Sequence, residues 1–476
     1  MKYFTLIIFL VPLFFFGNHS TEYVKTSPTT IHLRIKGLSA GTVYLTGFHK
    51  NVQSKVDSAQ IDPQGNIYFK QEQAFAPGFY VAELPDSLNL QILMDHDQVF
   101  SLETSADHLM KNMRVSGSME NELLYNSLQY DLDLEARFQS LVEQAYSKAP
   151  DNPDLTYLEQ QREQIINERK AYCDGIFKKH PSALFTKFEK ARQQPEILQT
   201  IFADASLDEV TRQQLLQYHF WDEVDFSDPR LLHTPAIFNK LVTYLFQLVP
   251  DQTEAMTQAI DQLMNKVIGY PEYYRFFAEW ITEYFQPNPH PLMDPEAIYV
   301  HMVDNYLTRE RVFWADSTQV SAWQFRAVYR ASSLLGRKAA NIEGKNPEGQ
   351  MRSLYDIQSP YIAIFFYHAE CSHCIEETPK LVEFYREWKN KGLEVFAVAM
   401  DTEDAEWKDF IARHQINWLN ITDKDNLEIY NKYSVPGTPD IYLLNAERKI
   451  IGKHLTTQDL AGLIELDQRG VSALGR

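Results

Sequence analysis

The stretch Tyr361-Ile362-Ala363-Ile364-Phe365-Phe366-Tyr367-His368-Ala369-Glu370-Cys371-Ser372-His373-Cys374 decides how this chain is read. Its first seven residues form an unbroken apolar and aromatic run, the pattern of a strand covered on both faces. Beyond Cys374 the apolar residues Leu381, Phe384, Tyr385 and Trp388 recur three or four apart as far as Lys391, and Gly392 supplies a stop. The pair Cys371-x-x-Cys374 therefore stands where a buried strand ends and a helix begins. At a helix N-terminus, unpaired N–H groups and the macrodipole favour thiolate over thiol, which makes Cys371 the attacking sulfur. Cys374, one turn on and more enclosed, is placed to resolve a mixed disulfide by attacking Cys371. Half of a zinc site and an inert structural bridge stay open as other uses of the pair. Zinc calls for four ligands, and neither a second C-x-x-C nor an H-x-H partner is visible.

Working outward, a parallel strand is expected at Leu393–Met400, a helix near Ala405–His414, a strand at Trp418–Ile421, a short helix around Leu427–Tyr433 and a strand at Ile441–Leu444. Asn445-Ala446-Glu447-Arg448 then turns into Lys449-Ile450-Ile451. This is βαβ followed by a hairpin, an α/β fold for residues 333–476.

These features resemble the thioredoxin superfamily, specifically its exported thiol-disulfide oxidoreductases of the TlpA and ResA type. The resemblance rests on Cys371-x-x-Cys374, on Glu377-Thr378-Pro379 in a C-x-x-C-x-x-E-x-P pattern, and on Tyr433-Ser434-Val435-Pro436-Gly437-Thr438-Pro439 ahead of the last strand. It implies a thioredoxin-like C-terminal domain in which Thr438–Pro439 is cis and faces the two sulfurs. It further implies that Glu377 is a carboxylate near the resolving cysteine, able to take or return its proton, and that His373 stabilises the Cys371 thiolate. The spacing of Cys374 and Glu377 puts them on one helix face, although pairing with Lys380 would also occupy that carboxylate. One departure stands out: Glu370 replaces the family's usual Trp before the first cysteine. A carboxylate beside a thiolate opposes the helix dipole and raises the thiol pKa.

Upstream, residues 28–118 read as β. Ile31–Ile35, Thr42–Leu45, Asn66–Phe69 and Phe79–Ala82 alternate or are β-branched, and Asp62-Pro63-Gln64-Gly65 and Pro77-Gly78 separate them, which suggests a small antiparallel sandwich. Residues 119–330 change to helical period, as in Ala236–Leu248 and Ala255–Ile268, and read as an all-α middle domain. Asp228-Pro229 and Asp294-Pro295 look like helix starts, and the segment 287–291 looks like a loop. His219-Phe220-Trp221-Asp222, with Asp225 and Asp228 behind it, reads as a helix junction rather than a metal site. Both regions resemble the β-rich and helical domains that precede thioredoxin-like domains in bacterial envelope proteins, with an expected role in partner recognition or in spacing.

The 476 residues exceed one ordinary core, so several domains are expected. The net charge of -19, from 64 acidic and 45 basic side chains, makes nucleic acid an unfavoured partner. Lys2 followed by the apolar run Tyr3–Phe16 has the layout of a secretory signal over residues 1–20, with an uncleaved membrane tether as the alternative. Three cysteines are too few for a disulfide framework; Cys173 reads as a small buried residue, leaving redox chemistry to the pair. The expected protein is an exported thiol-disulfide oxidoreductase of the cell envelope or periplasm, needing no cofactor and no metal. Its partners would be protein thiols and disulfides and a thiol redox partner. A peroxiredoxin-like peroxidase is the competing enzyme, but its P-x-x-x-T-x-x-C pattern has no Thr in place before Cys371, and a non-catalytic envelope binding protein is the non-enzymatic alternative. Fractionation of the native cell is expected to find the chain in the envelope; full-length protein in the soluble cytoplasm would contradict export.

Overall fold

Residues 28–146, 154–286, 294–424, 428–433 and 435–470 are described by the computed structural model. The Tyr3–Phe16 run, the segment 287–291, Leu427 and Ser434 lie outside the described residues. The chain divides into two compact units, Met1–Phe188 with His233–Pro235, and Glu189–Leu232 with Ala236–Arg476.

Among the described residues, the first unit has eight strands, β1 (Thr29–Lys36), β2 (Thr42–His49), β3 (Val52–Gln60), β4 (Asn66–Gln71), β5 (Gly78–Glu83), β6 (Asn89–Met94), β7 (Val99–Ser105) and β8 (Arg114–Ser116). They form two four-stranded sheets, ordered β4-β1-β7-β8 and β3-β2-β5-β6. Ile31, Leu33 and Ile35 of β1 are fully buried, as the period of two requires. One pairing corrects the antiparallel expectation: β1 runs parallel to β7. Sequence alternation shows which side of a strand is buried but not which neighbour it joins. Between β3 and β4, the Asp62 carboxylate accepts the N–H groups of Gln64 and Asn66 at 2.9 and 2.8 Å. Gly65 there has φ +80, and a Cβ on it would lie 2.4 Å from the Ile35 carbonyl oxygen.

Two long helices, α1 (Met119–Tyr146) and α2 (Asp154–Lys179), follow the sheets. On α1, Asn121 bonds both backbone groups of Leu93 at 3.0 and 2.8 Å, fixing the helix to β6. Glu120 accepts the N–H groups of Leu184 and Phe185 at 3.0 and 2.7 Å, satisfying the start of α3 (Leu184–Arg192).

The second unit begins with α4 (Ile197–Ala203), α5 (Glu209–His219), α6 (Pro235–Thr243), α7 (Thr253–Val267), α8 (Pro271–Tyr284), α9 (Pro295–Asn305) and α10 (Ser317–Ala331). His219 pairs with Asp222 at 2.6 Å, while buried Trp221 packs against Tyr244 and Phe277, a helix junction. Asp294 does begin a helix, α9, but its side chain does not cap it. Its carboxylate is buried and bonds Lys453 instead.

A short hairpin, β9 (Glu343–Lys345) and β10 (Met351–Ser353), leads into a five-stranded sheet. Its parts are β11 (Tyr361–Tyr367), α11 (Ser372–Trp388), β12 (Leu393–Ala399), α12 (Asp404–Arg413), β13 (Leu419–Thr422), α13 (Glu428–Tyr433), β14 (Asp440–Leu444), β15 (Ile450–Gly452) and α14 (Thr457–Gln468). Strand order is β13-β12-β11-β14-β15; β12 is parallel to β11, and β14 is antiparallel to it. Every residue of β11 is buried, Ala363, Phe365 and Tyr367 on one face and Ile362, Ile364 and Phe366 on the other. Gly392, at φ +95, ends the helical path after α11. Truncating Phe365 to Ala is expected to destabilise this unit by about 3–5 kcal/mol, read as the shift of its urea transition.

Candidate active site

The site is built by sheet register. Phe366 of β11 faces Asp440 of β14, so the residues that leave β11 lie beside those that enter β14. Cys371 thus meets Thr438 across 67 positions of sequence: its thiol donates to the Thr438 carbonyl with S···O 3.2 Å. The Thr438–Pro439 bond is cis.

Cys371 is the N-cap of α11, with extended φ/ψ of -70 and 121. Its carbonyl accepts the N–H of Ile375 at 3.0 Å, while its own N–H donates to the His368 carbonyl at 3.1 Å. Cys371 is partly exposed, Cys374 is fully buried, and both are free thiols. Burial works against ionisation of Cys371, but the N–H and thiol of Cys374, Thr438 and the N–H of His373 outweigh it and hold its pKa below the ordinary thiol value. Burial pushes Cys374 up to about 12, and the neighbouring Cys371 adds to the rise against the N–H of His368. One dithiol thereby holds a partly exposed sulfur of lowered pKa and a buried one of raised pKa.

The other expected residues sit around this pair. His373 is exposed in the first turn of α11 and offers its backbone N–H to Cys371. Glu370 is also exposed, and its N–H donates to His368 Nδ1 at 3.1 Å. Glu377 has both carboxylate oxygens engaged, one by the Thr457 N–H at 2.8 Å and one by Lys380 Nζ at 2.9 Å. Burial would raise its pKa, yet Thr457 and Lys380 together hold it below the ordinary carboxylate value. The structure therefore gathers Cys371, Cys374, Thr438 and Pro439, whereas Glu377 is bonded to the start of α14 and to Lys380.

A further carboxylate escaped the sequence reading. Asp423, just beyond β13, is 1% exposed; one oxygen accepts the Asp401 N–H at 2.9 Å and the other has no bond among the described residues. Burial raises its pKa, against the Asp401 N–H and the charge of His368. Its position at the carboxyl end of a strand, where open α/β sheets place their sites, was the available signal. Among the described residues, no group of three His, Cys, Asp or Glu side chains could hold a metal ion, and no helix is long and apolar enough to cross a membrane.

Residues 335–453 match the AhpC/TSA family. This C-terminal domain is thioredoxin-like. Residues 29–124 and 159–327 each match a domain of unknown function. The thioredoxin-like domain is related to the thiol-disulfide oxidoreductase ResA of Bacillus cereus, 26% identical over 134 residues that span 28% of this chain and 77% of that protein. It is similar to the thioredoxin domain of a thiol-disulfide oxidoreductase from Bacteroides vulgatus, at 32% identity, 28% of this chain, 95% of that one and a TM-score of 0.26. A thioredoxin-like protein from Bacteroides caccae is 22% identical, with 58% of this chain and 96% of that one covered and a TM-score of 0.47.

In the thioredoxin-like domain, alkylation of the reduced protein at neutral pH is expected to fall on Cys371. Its rate should rise with pH through a midpoint below the ordinary thiol value of about 8.5. Cys374 should stay unlabelled until the pH approaches 12; peptide mapping of the adduct checks both.

Proposed function

We propose that this chain is an exported thiol-disulfide oxidoreductase that exchanges electrons with protein disulfides through Cys371 and Cys374. The observation that carries the reading is the split between the sulfurs: a helix-capping, partly exposed Cys371 with a lowered pKa beside a fully buried Cys374 raised to about 12.

The Cys371 thiolate attacks one sulfur of a client disulfide. That S–S bond breaks, the second client sulfur leaves as thiolate, and a mixed disulfide forms on Cys371. Cys374 then gives up its proton and attacks the Cys371 sulfur; the bond to the client breaks and the first client sulfur leaves. The client has gained two electrons and the chain holds a Cys371–Cys374 disulfide, which a thiol partner reduces by the same steps. Run in reverse, the sequence oxidises client dithiols, and the balance is set by the reduction potential of the pair against its compartment. His373 supports the thiolate through its position at the helix start, and Glu377 receives the proton of Cys374 once Lys380 or Thr457 lets go. On this reading the apolar run Tyr3–Phe16 directs the chain to the cell envelope, and the residues before the thioredoxin-like domain recognise or space the partner.

Cys374→Ser is expected to trap covalent client complexes on a non-reducing gel, and Cys371→Ser almost none; a reversed pattern would make Cys374 the nucleophile. Peroxide consumption at rates matching disulfide exchange would favour the peroxidase reading instead. In the same assay, Glu377→Gln should slow release of the mixed disulfide by about tenfold or more and leave the first attack nearly intact; equal slowing of both steps would remove Glu377 from the proton transfer.

A further inference from the structure

Behind the dithiol, the second unit buries a chain of ionic groups that the exchange reaction does not use. Lys453 is completely buried and lies 2.9 Å from carboxylate oxygens of both Asp294 and Glu296, at and beside the start of α9. Next in sequence, His454 places one ring nitrogen 3.1 Å from Glu296 and the other 3.1 Å from Asp440. Glu296 and Asp440 are themselves 0% and 3% exposed. An imidazole that faces a carboxylate from each nitrogen donates from both, and is the imidazolium. Burial opposes that charge, but Asp440 and Glu296 raise the His454 pKa to about 9.

Asp440 is the residue directly after the cis Thr438–Pro439 bond, and the Thr438 carbonyl accepts from the Cys371 thiol. The backbone on this side is held as well: Leu455 donates its N–H to the Ile441 carbonyl at 3.1 Å, and His454 adopts a left-handed φ of +56. A continuous path of bonded groups therefore runs from Glu296 on α9, through the His454 ring and the Asp440 carboxylate, to the peptide that faces Cys371.

We propose that His454 is a positioning residue for the dithiol: by bridging Asp440 to Glu296 it lets the helical region hold the Thr438–Pro439 segment against Cys371. This rests on the oxidoreductase reading above. Removing the ring leaves two buried carboxylates without their shared cation, and Asp440 stands two residues from the Thr438 carbonyl that accepts from the sulfur. The groups facing His454 are Asp440 of β14, Glu296 of α9 and the edge of the Tyr442 ring at 5.7 Å, with Lys453 and Asp294 behind Glu296. As a raised-pKa histidine, it contributes stability that is fully present below its unfolded value of about 6.5 and lost as pH rises through about 9.

The test compares full-length His454→Gln, Glu296→Gln and Asp294→Asn. Asp294 belongs to the same buried cluster but touches Lys453 and the Leu335 N–H, not His454. The pH profile of Cys371 alkylation is read in each variant and in the parent. Changes of about three- to tenfold in the rate at pH 7 for the His454 and Glu296 variants, with the Asp294 variant close to parent, support the inference. Equal effects in all three, or none, overturn it as mere structural loosening. A second measurement needs no variant: NMR titration of the His454 ring in the parent, dithiol against disulfide. Reciprocal linkage requires the midpoint near 9 to move between the two forms, by about 0.3 unit or more; identical midpoints overturn the proposal. Failure of the parent to reduce or oxidise protein disulfides would instead count against the oxidoreductase reading, whatever these titrations show.

Discussion

The antiparallel register of β14 on β11 is the constraint on which the rest of this site depends. β11 is apolar on both faces and can only be the middle of a covered sheet, so both of its edges must find partners. Pairing Phe366 with Asp440 satisfies one edge, and its geometric by-product is that the chain leaving β11 and the chain entering β14 share one end of the sheet. Cys371 and Thr438 are neighbours because a hydrophobic strand had to be buried. Placing α11 directly after β11 then sets the helix N-terminus, with its unpaired N–H groups, under the first sulfur.

Burial that builds the site also loads it with charge that a surface would tolerate easily. Lys453, Glu296, Asp294 and Asp440 are all withdrawn from water, and each is tolerable only because the others are present; removing one partner of such a set costs about 3–5 kcal/mol. Replacing the cluster by apolar side chains would serve stability as well or better. Beside the Thr438–Pro439 peptide the cluster gives defined orientation instead, since charge-assisted hydrogen bonds are directional where apolar packing is not.

The sequence was legible where a single segment carries its own signal. The apolar run of β11, the periodicity of α11 and the stop at Gly392 need no distant partner to be read. β3 was missed because Val52–Gln60 is polar and mostly exposed, and it is a strand only by pairing along β2. The parallel pairing of β1 with β7 was hidden for another reason: alternation shows which face of a strand is buried, not which neighbour it joins. α14 lay beyond the last apolar run considered, although the reciprocal capping of Thr456 and Asp459 announces it. In the site, the cysteine pair and the Lys380 partner of Glu377 were visible as local spacings, but its second partner was not, since Thr457 lies 80 positions away. Lys453-His454 after a strand looks like a solvated turn; its burial depends on Asp294, 159 positions upstream.

The complete burial of Cys374 has a consequence in time as well as in reactivity. With its pKa near 12, the thiolate fraction at neutral pH is on the order of one in a hundred thousand. Of the pair, small oxidants and stray disulfides therefore find one sulfur to engage, and an accidental adduct on Cys371 is not closed at once into a ring. In the exchange reaction proposed above, a mixed disulfide on Cys371 therefore waits on the loss of the Cys374 proton. Depth in the core sets the pace of that second step as well as the reactivity of its sulfur.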